Sequence, residues 1–248
     1  MNTYFYEVFE NIPRQGPGTN PSTRKAFDLI KNDLPAKPEI LDVGCGKGVQ
    51  TLELASISSG NITAIDNHQN FLDVLINETE KSGLGNRIHP QNVDMTKMSF
   101  RQSFDLIWSE GAIFIVGIKE GLKQWKKFLK PGGFLVLTDL FWLSNERPQE
   151  LTKWLEEECL YVLTVSEAIR EAESNGYSCI NHFTLPIEGW TTEYLVPQQK
   201  LLLQLRKKYP GNKEANDIFD RLDYEREMFN KYHKYYGYEF LILKADKL

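Results

Sequence analysis

The chain has 248 residues, 41% hydrophobic and 25% charged, with a formal net charge of −5. That length suits one large α/β domain with a filled core, alone or with a cap, and the composition is ordinary for a globular protein in water. The acidic balance argues against a general nucleic-acid binder, and no apolar run reaches the length of a membrane span.

Three cysteines (Cys45, Cys159 and Cys179) make no disulfide framework, so a reducing cytoplasm is expected. The opening Met1-Asn2-Thr3-Tyr4 lacks the basic and apolar blocks of a signal peptide. Tyr4, Phe5, Tyr6 and Phe9 follow with aromatic surface, and Arg14-Gln15-Gly16-Pro17-Gly18 reads as a flexible turn. A helix is predicted over 21–34. Ile40, Leu41 and Val43 then form a short apolar strand that runs into Gly44-Cys45-Gly46-Lys47-Gly48. From Lys47 to about Ser58, Val49, Leu52, Ala55 and Ile57 recur at helical spacing.

Strand, glycine turn and helix together let a ligand touch backbone. Glycine tolerates positive φ, and the helix that follows offers unpaired N–H groups and the positive end of its dipole, where a carboxylate or phosphate is welcome. This is the pattern of a nucleotide-type cofactor site. The spacing is Gly-x-Gly-x-Gly after Asp42, which departs from the dinucleotide fingerprint Gly-x-Gly-x-x-Gly, and Lys47 is followed by Gly48 where a P-loop needs Ser or Thr.

Further along, Asn61 to Asp66 is a second strand ending in a carboxylate, 22 residues beyond Gly44, where it can accept hydrogen bonds from both hydroxyls of a ribose. A helix is predicted from Asn70 to Ser82. Arg87 to Met95 ends a third strand, and Phe104 to Glu110 is a fourth. Leu129-Lys130-Pro131-Gly132-Gly133 turns into a fifth, Phe134 to Thr138.

In this order the features resemble class I S-adenosylmethionine-dependent methyltransferases. Asp42 to Gly48 looks like that family's first motif, and Gln50-Thr51 continues it as in many small-molecule members. The resemblance implies Gly44 and Gly46 against the methionyl part of the cofactor with Asp42 nearby, Asp66 on the ribose, Asp94 at the adenine amino group and Met95 against the ring. It places Gln50 and Ser109 among the cofactor-binding residues too. It also makes residues 1–20 an N-terminal lid, residues 21–139 the cofactor-binding core, residues 140–236 the acceptor side with a helical cap, and residues 237–248 the last strand.

The implied fold is a Rossmann-like, doubly wound α/β sheet of about seven strands, the last antiparallel. On the acceptor side, helices are predicted over Glu150 to Leu160 and Ser166 to Ser174, the second capped by Thr164 and Glu167. Tyr177 to Leu185 is a strand, and Thr191 to about Tyr236 is mostly helical with a break at Pro210-Gly211-Asn212. Tyr238 to Lys244 is the last strand. The crossover between the last two strands is longer than one helix needs, so part of it is expected to cap the acceptor site.

The expected activity is methyl transfer from S-adenosylmethionine to a small-molecule acceptor. Within the family the resemblance leans toward the group that includes quinone-biosynthesis and amine- or glycine-methylating enzymes. Glu110, at the sheet's carboxyl edge, is the candidate general base, or else holds the methionyl amino group or a backbone N–H. Tyr6, Trp142, Trp190 and Tyr194 are candidates for an aromatic acceptor pocket, suited to a cationic or flat substrate. Ser109-Glu110-Gly111-Ala112 departs from the Asp/Asn-Pro-Pro-aromatic exit of DNA amino-methylating enzymes, which favours a small acceptor. No His, Cys and carboxylate cluster has metal-ligand spacing. Homo-oligomerisation is left open. The alternatives are a nicotinamide-dependent oxidoreductase and a non-catalytic S-adenosylmethionine-binding protein. Against the first, the Tyr209 to Lys213 spacing encloses Pro210-Gly211, which would break the catalytic helix of a short-chain dehydrogenase.

Overall fold

The structure, a computed structural model, describes residues 3–101 and 103–247. Residues 1 and 2 of the expected lid and residue 248 of the expected last strand lie outside the described residues. Strand β1 (Glu39–Val43) leads through the glycine turn into α3 (Val49–Ile57), preceded by α1 (Thr3–Glu10) and α2 (Asn20–Asp28). Then come β2 (Asn61–Asp66), α4 (Gln69–Lys81), β3 (Ile88–Asn92), β4 (Phe104–Glu110), α5 (Ile118–Trp125) and β5 (Leu129–Trp142). The C-terminal half adds α6 (Gln149–Glu157), β6 (Leu163–Thr164), α7 (Val165–Ser174) and β7 (Tyr177–Thr184). It closes with α8 (Ile187–Trp190), a π-helical turn (Thr191–Leu195), α9 (Val196–Lys208), α10 (Lys213–Tyr232) and β8 (Tyr236–Ala245).

The sheet runs β3-β2-β1-β4-β5-β8-β7, with the last strand in sequence antiparallel to both neighbours and the other pairings on this path parallel. The seven-stranded, doubly wound arrangement is therefore the expected one, with the two-residue β6 added beside the end of β5. Burial on two faces follows from the two-residue period of the strands. On β8, Phe240 and Ile242 join the core that also holds Ala26 of α2 and Leu54 of α3, while Leu241 and Leu243 face Leu122 and Trp125 of α5.

Several boundaries differ from the sequence expectation: β5 already begins at Leu129, where a turn is expected, β3 ends at Asn92 rather than Met95, α6 ends at Glu157 rather than Leu160, and β8 begins at Tyr236 rather than Tyr238. The 21–34 helix ends at Asp28 and gives way to a 3-10 turn at Lys31–Asp33. Strand β5 continues past Thr138 to Trp142 because β8 and β6 pair with its extension. The capping box holds: the Glu167 N–H donates to Thr164 Oγ1 at 3.2 Å and the Thr164 N–H to Glu167 Oε2 at 2.8 Å. No described helix is long and apolar enough to cross a membrane.

Strand order reverses between β1 and β4, and in open α/β sheets ligands bind in the crevice outside the strand ends at such a switch point. Gly44 leaves β1 there and Gly111 leaves β4. The N-terminal helix and the α9–α10 region are joined to each other above this point. Glu7 of α1 accepts hydrogen bonds from Lys208 Nζ at 2.6 Å and Tyr209 Oη at 2.8 Å, and Asn212 Nδ2 donates to Tyr4 Oη at 2.8 Å.

Candidate active site

A cavity of about 550 Å³ opens at the switch point, between the sheet's carboxyl edge, the N-terminal segment and the α6–α10 cap. Its residues fall into two halves.

The first half surrounds the glycine turn. Gly44 has φ +72° and Gly46 φ +53°, in the left-handed region where a side chain is strained. A Cβ at Gly44 would also run into Ala112, and one at Gly46 would come within 2.6 Å of Gln15 Oε1. Asp66 ends β2 with each oxygen accepting one backbone N–H: Gly46 to Oδ2 and His68 to Oδ1, both at 2.9 Å. A carboxylate has about four lone-pair sites, so capacity remains for two further donors. Burial raises the Asp66 carboxyl above its usual range. Asp94 and Met95 line the rim of this half, with Asp94 Oδ1 accepting the Thr96 N–H and hydroxyl.

The N-terminal segment is tied down over this turn. Lys47 Nζ donates to the carbonyls of Glu10 and Ile12 at 2.8 and 2.7 Å, and the Lys47 N–H donates to Gln15 Oε1 at 3.0 Å. Glu10 meets His68 at 2.7 Å, and the Tyr6 ring stacks on His68 with centroids 3.9 Å apart. Sequence reading placed Tyr6 in the acceptor pocket; the structure puts it beside Asp66, because α1 folds back across the N-terminal end of α4.

The turn differs from an anion nest. The N–H groups of Gly44 and Cys45 both donate to Ile65 O, that of Gly46 to Asp66, that of Lys47 to Gln15 and that of Gly48 to Cys45 O. Every backbone donor from Gly44 to Gly48 is spent within the protein.

Glu110 sits at the end of β4, its side chain 3% exposed. Its Oε1 accepts from Thr23 Oγ1 at 2.6 Å and Trp108 Nε1 at 2.9 Å, and its Oε2 lies 3.6 Å from Arg14 Nη1 without a hydrogen-bond partner among the described residues. Burial raises its carboxyl while Arg14 works against that rise. Arg14, also buried, gives its Nη2 to Asn20 Oδ1 at 2.7 Å. The sequence placed Arg14 only in a flexible turn; its ion pair across the cavity depends on tertiary contact.

Three expected residues do not line the cavity. Asp42 is fully buried beneath the turn, with Oδ2 accepting from Thr51 Oγ1 at 2.5 Å and Oδ1 from Gln50 Nε2 at 3.4 Å, so it braces α3 against β1. Desolvation lifts its carboxyl to about 7. Ser109, equally buried, donates to the Val43 carbonyl at 3.0 Å and ties β4 to β1. Trp142 is carried by the longer β5 to a pairing with Thr164 and Tyr236, where the Arg147 guanidinium lies 4.2 Å over its ring. Gln50 does line the cavity, and its Nε2 donates to Cys45 O at 3.1 Å.

The second half lies under the cap. Trp190 and Tyr194, candidates from the sequence, line it from α8 and the π turn, joined by Trp154 of α6 and by Tyr236 and Tyr238 of β8. Trp190 packs edge-on to Tyr238 at 4.9 Å between centroids. Two carboxylates absent from the sequence reading complete it, Asp139 near the end of β5 and Glu225 of α10. Asp139 had a legible signal, since like Asp66 it is a carboxylate beyond an apolar strand. Glu225 had none, being one acid among many on a polar helix. No group of His, Cys, Asp and Glu among the described residues is arranged to hold a metal ion.

Comparison with known proteins agrees with this architecture. Residues 40–133 match the family model described as a methyltransferase domain. A sterol 24-C-methyltransferase of Gibberella zeae is 28% identical over 153 residues, 58% of this chain and 40% of that protein. The chain spans about half, or less, of the length of the first curated relatives it matches. Two solved structures share the fold nearly end to end. One is a SAM-dependent methyltransferase from Geobacter sulfurreducens in complex with S-adenosyl-L-homocysteine, with TM-score 0.84, 16% identity, and 99% of this chain and 98% of that one covered. The other is a SAM-dependent methyltransferase from Thiobacillus denitrificans with the same ligand, with TM-score 0.83, 18% identity and 99% of both chains covered.

Proposed function

We propose that this chain is an S-adenosylmethionine-dependent methyltransferase acting on a small molecule. The observation that carries the reading is one cavity that joins Asp66, with acceptor capacity to spare beside the glycine turn, to the buried Arg14–Glu110 pair. The cofactor consists of an amino acid, a ribose and an adenine, and the first half of the cavity offers a partner for each. Asp66 would take the ribose hydroxyls. Glu110, with Oε2 orphaned, and Arg14 would take the ammonium and carboxylate of the methionyl end. Asp94 and Met95 would meet the adenine, and Gln50 and the glycine turn the part between.

The competing nicotinamide reading needs a pyrophosphate on free backbone N–H groups at the turn. The turn has spent them, and Asp66 and Glu110 would oppose a phosphate's charge. A non-catalytic binder needs only the first half; the second, with its carboxylates and aromatic walls, favours an enzyme.

Bound S-adenosylmethionine supplies a methyl carbon made electrophilic by the adjoining sulfonium, so the protein's task is alignment and exclusion of water. In this reading residues 1–20 form the lid, and Lys47 holds the lid closed through the Glu10 and Ile12 carbonyls. Residues 21–139 carry the cofactor and residues 140–236 shape the acceptor half. Glu110 is held by three partners, which suits it to holding the ligand rather than to shuttling protons. A flat quinone-type acceptor would use the aromatic walls alone, whereas an amine would also use the carboxylates.

Calorimetric titration with S-adenosylhomocysteine, with NADH and ATP as controls, tests the reading. Saturable binding of S-adenosylhomocysteine alone is expected; no binding, or preference for NADH, would overturn it.

A further inference from the structure

The charge balance of the acceptor half points to one substrate class. Asp139 accepts a single hydrogen bond among the described residues, from the Leu140 N–H at 2.8 Å, and Glu225 has only the Tyr194 hydroxyl at 3.4 Å. The cationic side chains that line the cavity are engaged elsewhere. Arg14 is paired with Glu110 and Asn20, and Arg221 with Glu158, its Nε 2.8 Å from Oε2. Two carboxylates therefore face the cavity with no cation of their own among the described residues, beside Trp190, Tyr194, Tyr236 and Tyr238.

An anionic acceptor would find no free cation among the described residues here, and two like charges. A neutral one would leave both carboxylates desolvated and unpaired, which is costly. A cation would satisfy them, and electron-rich rings add attraction for it.

We propose that the methyl acceptor is a small organic amine, entering as an ammonium ion between Asp139 and Glu225, with Asp139 receiving the proton that must leave its nitrogen. The proposal rests on the methyl-transfer reading. Asp139 is the proton acceptor of the pair because it stands on the sheet's carboxyl edge. The preceding Thr138 accepts the Gly111 N–H through Oγ1 at 2.8 Å, which sets Asp139 next to the exit of β4, whereas Glu225 belongs to the cap. The N–H bond breaks, its electrons stay on nitrogen as the lone pair an acceptor needs, and the proton joins an Asp139 oxygen, leaving a neutral carboxyl.

Burial lifts both carboxyls to about 7, with Arg221 working against the rise at Glu225, a poise suited to exchanging a proton near neutrality. The groups facing them are Tyr238 and Tyr236 of β8, Tyr194 of the π turn, Glu158 at the end of α6 and Arg221 of α10. Burial raises all three tyrosines above their ordinary value, so they stay neutral through this range.

The test is calorimetry on the intact protein saturated with S-adenosylhomocysteine. The probes are benzylamine, ethanolamine and tetramethylammonium, set against benzyl alcohol, ethylene glycol and benzoate. At about pH 8, at least one ammonium probe should bind roughly tenfold or more tighter than its neutral or anionic counterpart, and the preference should shrink towards pH 6 as the carboxyls protonate. Asp139→Asn and Glu225→Gln should each weaken ammonium binding by roughly tenfold while S-adenosylhomocysteine affinity stays within about twofold. Equal or tighter binding of the alcohols or benzoate, no ammonium binding, or binding untouched in the double variant would overturn the proposal. If S-adenosylhomocysteine itself fails to bind, the methyl-transfer reading falls; if it binds and the amines do not, only the acceptor assignment falls.

Discussion

Replacing Asp66 with alanine separates the two tasks this carboxylate performs. In the free protein each oxygen accepts one backbone N–H at 2.9 Å, from Gly46 and His68. Alanine leaves both donors without that partner. Asp66 is only partly buried, so water replaces some of the loss, and the expected cost to stability is about 1–2 kcal/mol, the lower part of the range for an unsatisfied buried donor. The remaining lone pairs are those assigned to the ribose hydroxyls, and hydrogen bonds to a charged acceptor are worth roughly 1.5–3 kcal/mol each before the cost of desolvating the carboxylate. A net loss of about 1–3 kcal/mol in binding follows, which is roughly a 5- to 150-fold rise in Kd for S-adenosylhomocysteine. Urea unfolding measures the first quantity and calorimetry on the folded variant the second. A folded Asp66→Ala protein with an unchanged Kd would refute the ribose assignment, whatever its stability.

Three further outcomes are expected. Burial lifts the Asp139 carboxyl from 3.8 to about 7, so its contribution to stability is fully present below about pH 4 and is lost as the pH rises towards 7. Asp139→Asn escapes that loss and should be more stable than the parent by up to about 4 kcal/mol at pH 8 and equal to it at pH 4; a pH-independent difference in urea midpoints would contradict the burial argument. Gly44→Ala forces a Cβ into the left-handed region, at a cost of roughly 1–2 kcal/mol, and against Ala112, so thermal melting should fall and S-adenosylhomocysteine binding weaken; an unchanged melt would show that the turn relaxes freely. Lys47→Met removes the donor shared by the Glu10 and Ile12 carbonyls, and amide exchange across residues 8–16 should quicken by roughly tenfold while the sheet is unaffected. Equal exchange in parent and variant would mean that the N-terminal segment is held by other contacts.

Much of the first half of the cavity was legible in the chain itself. Strands β1, β2 and β4, the glycine turn and the carboxylates Asp66 and Asp94 are local features, written in short apolar runs and in the residues that end them. Such signals survive because a parallel strand buried on both faces must be apolar along its length, and the polar residue beyond it stands where the sheet stops. The same local logic misplaced Asp42 and Ser109, since adjacency in sequence to a binding turn does not say which face of a strand a side chain takes. Both point into the packing that braces β1, where Thr51 and the Val43 carbonyl satisfy them.

The second half of the cavity was decided by tertiary structure. Trp190, Tyr194, Glu225 and Tyr238 come from α8, the π turn, α10 and β8, and nothing in the spacing of those elements says that they converge. Asp139 and Glu225 acquire their character only from enclosure: on a solvated helix or strand end they would be ordinary ionised acids, whereas inside the cavity they lose water, and the Arg221 guanidinium near Glu225 is hydrogen-bonded to Glu158. Arg14 and Glu110, far apart in the chain, become a buried pair only when the N-terminal segment folds over the sheet's edge. Local sequence determined where a cofactor could touch backbone, because strand burial and glycine geometry are properties of a few consecutive residues. What shares the cavity with it was decided by the fold, because desolvation and charge pairing depend on every element that closes around a group.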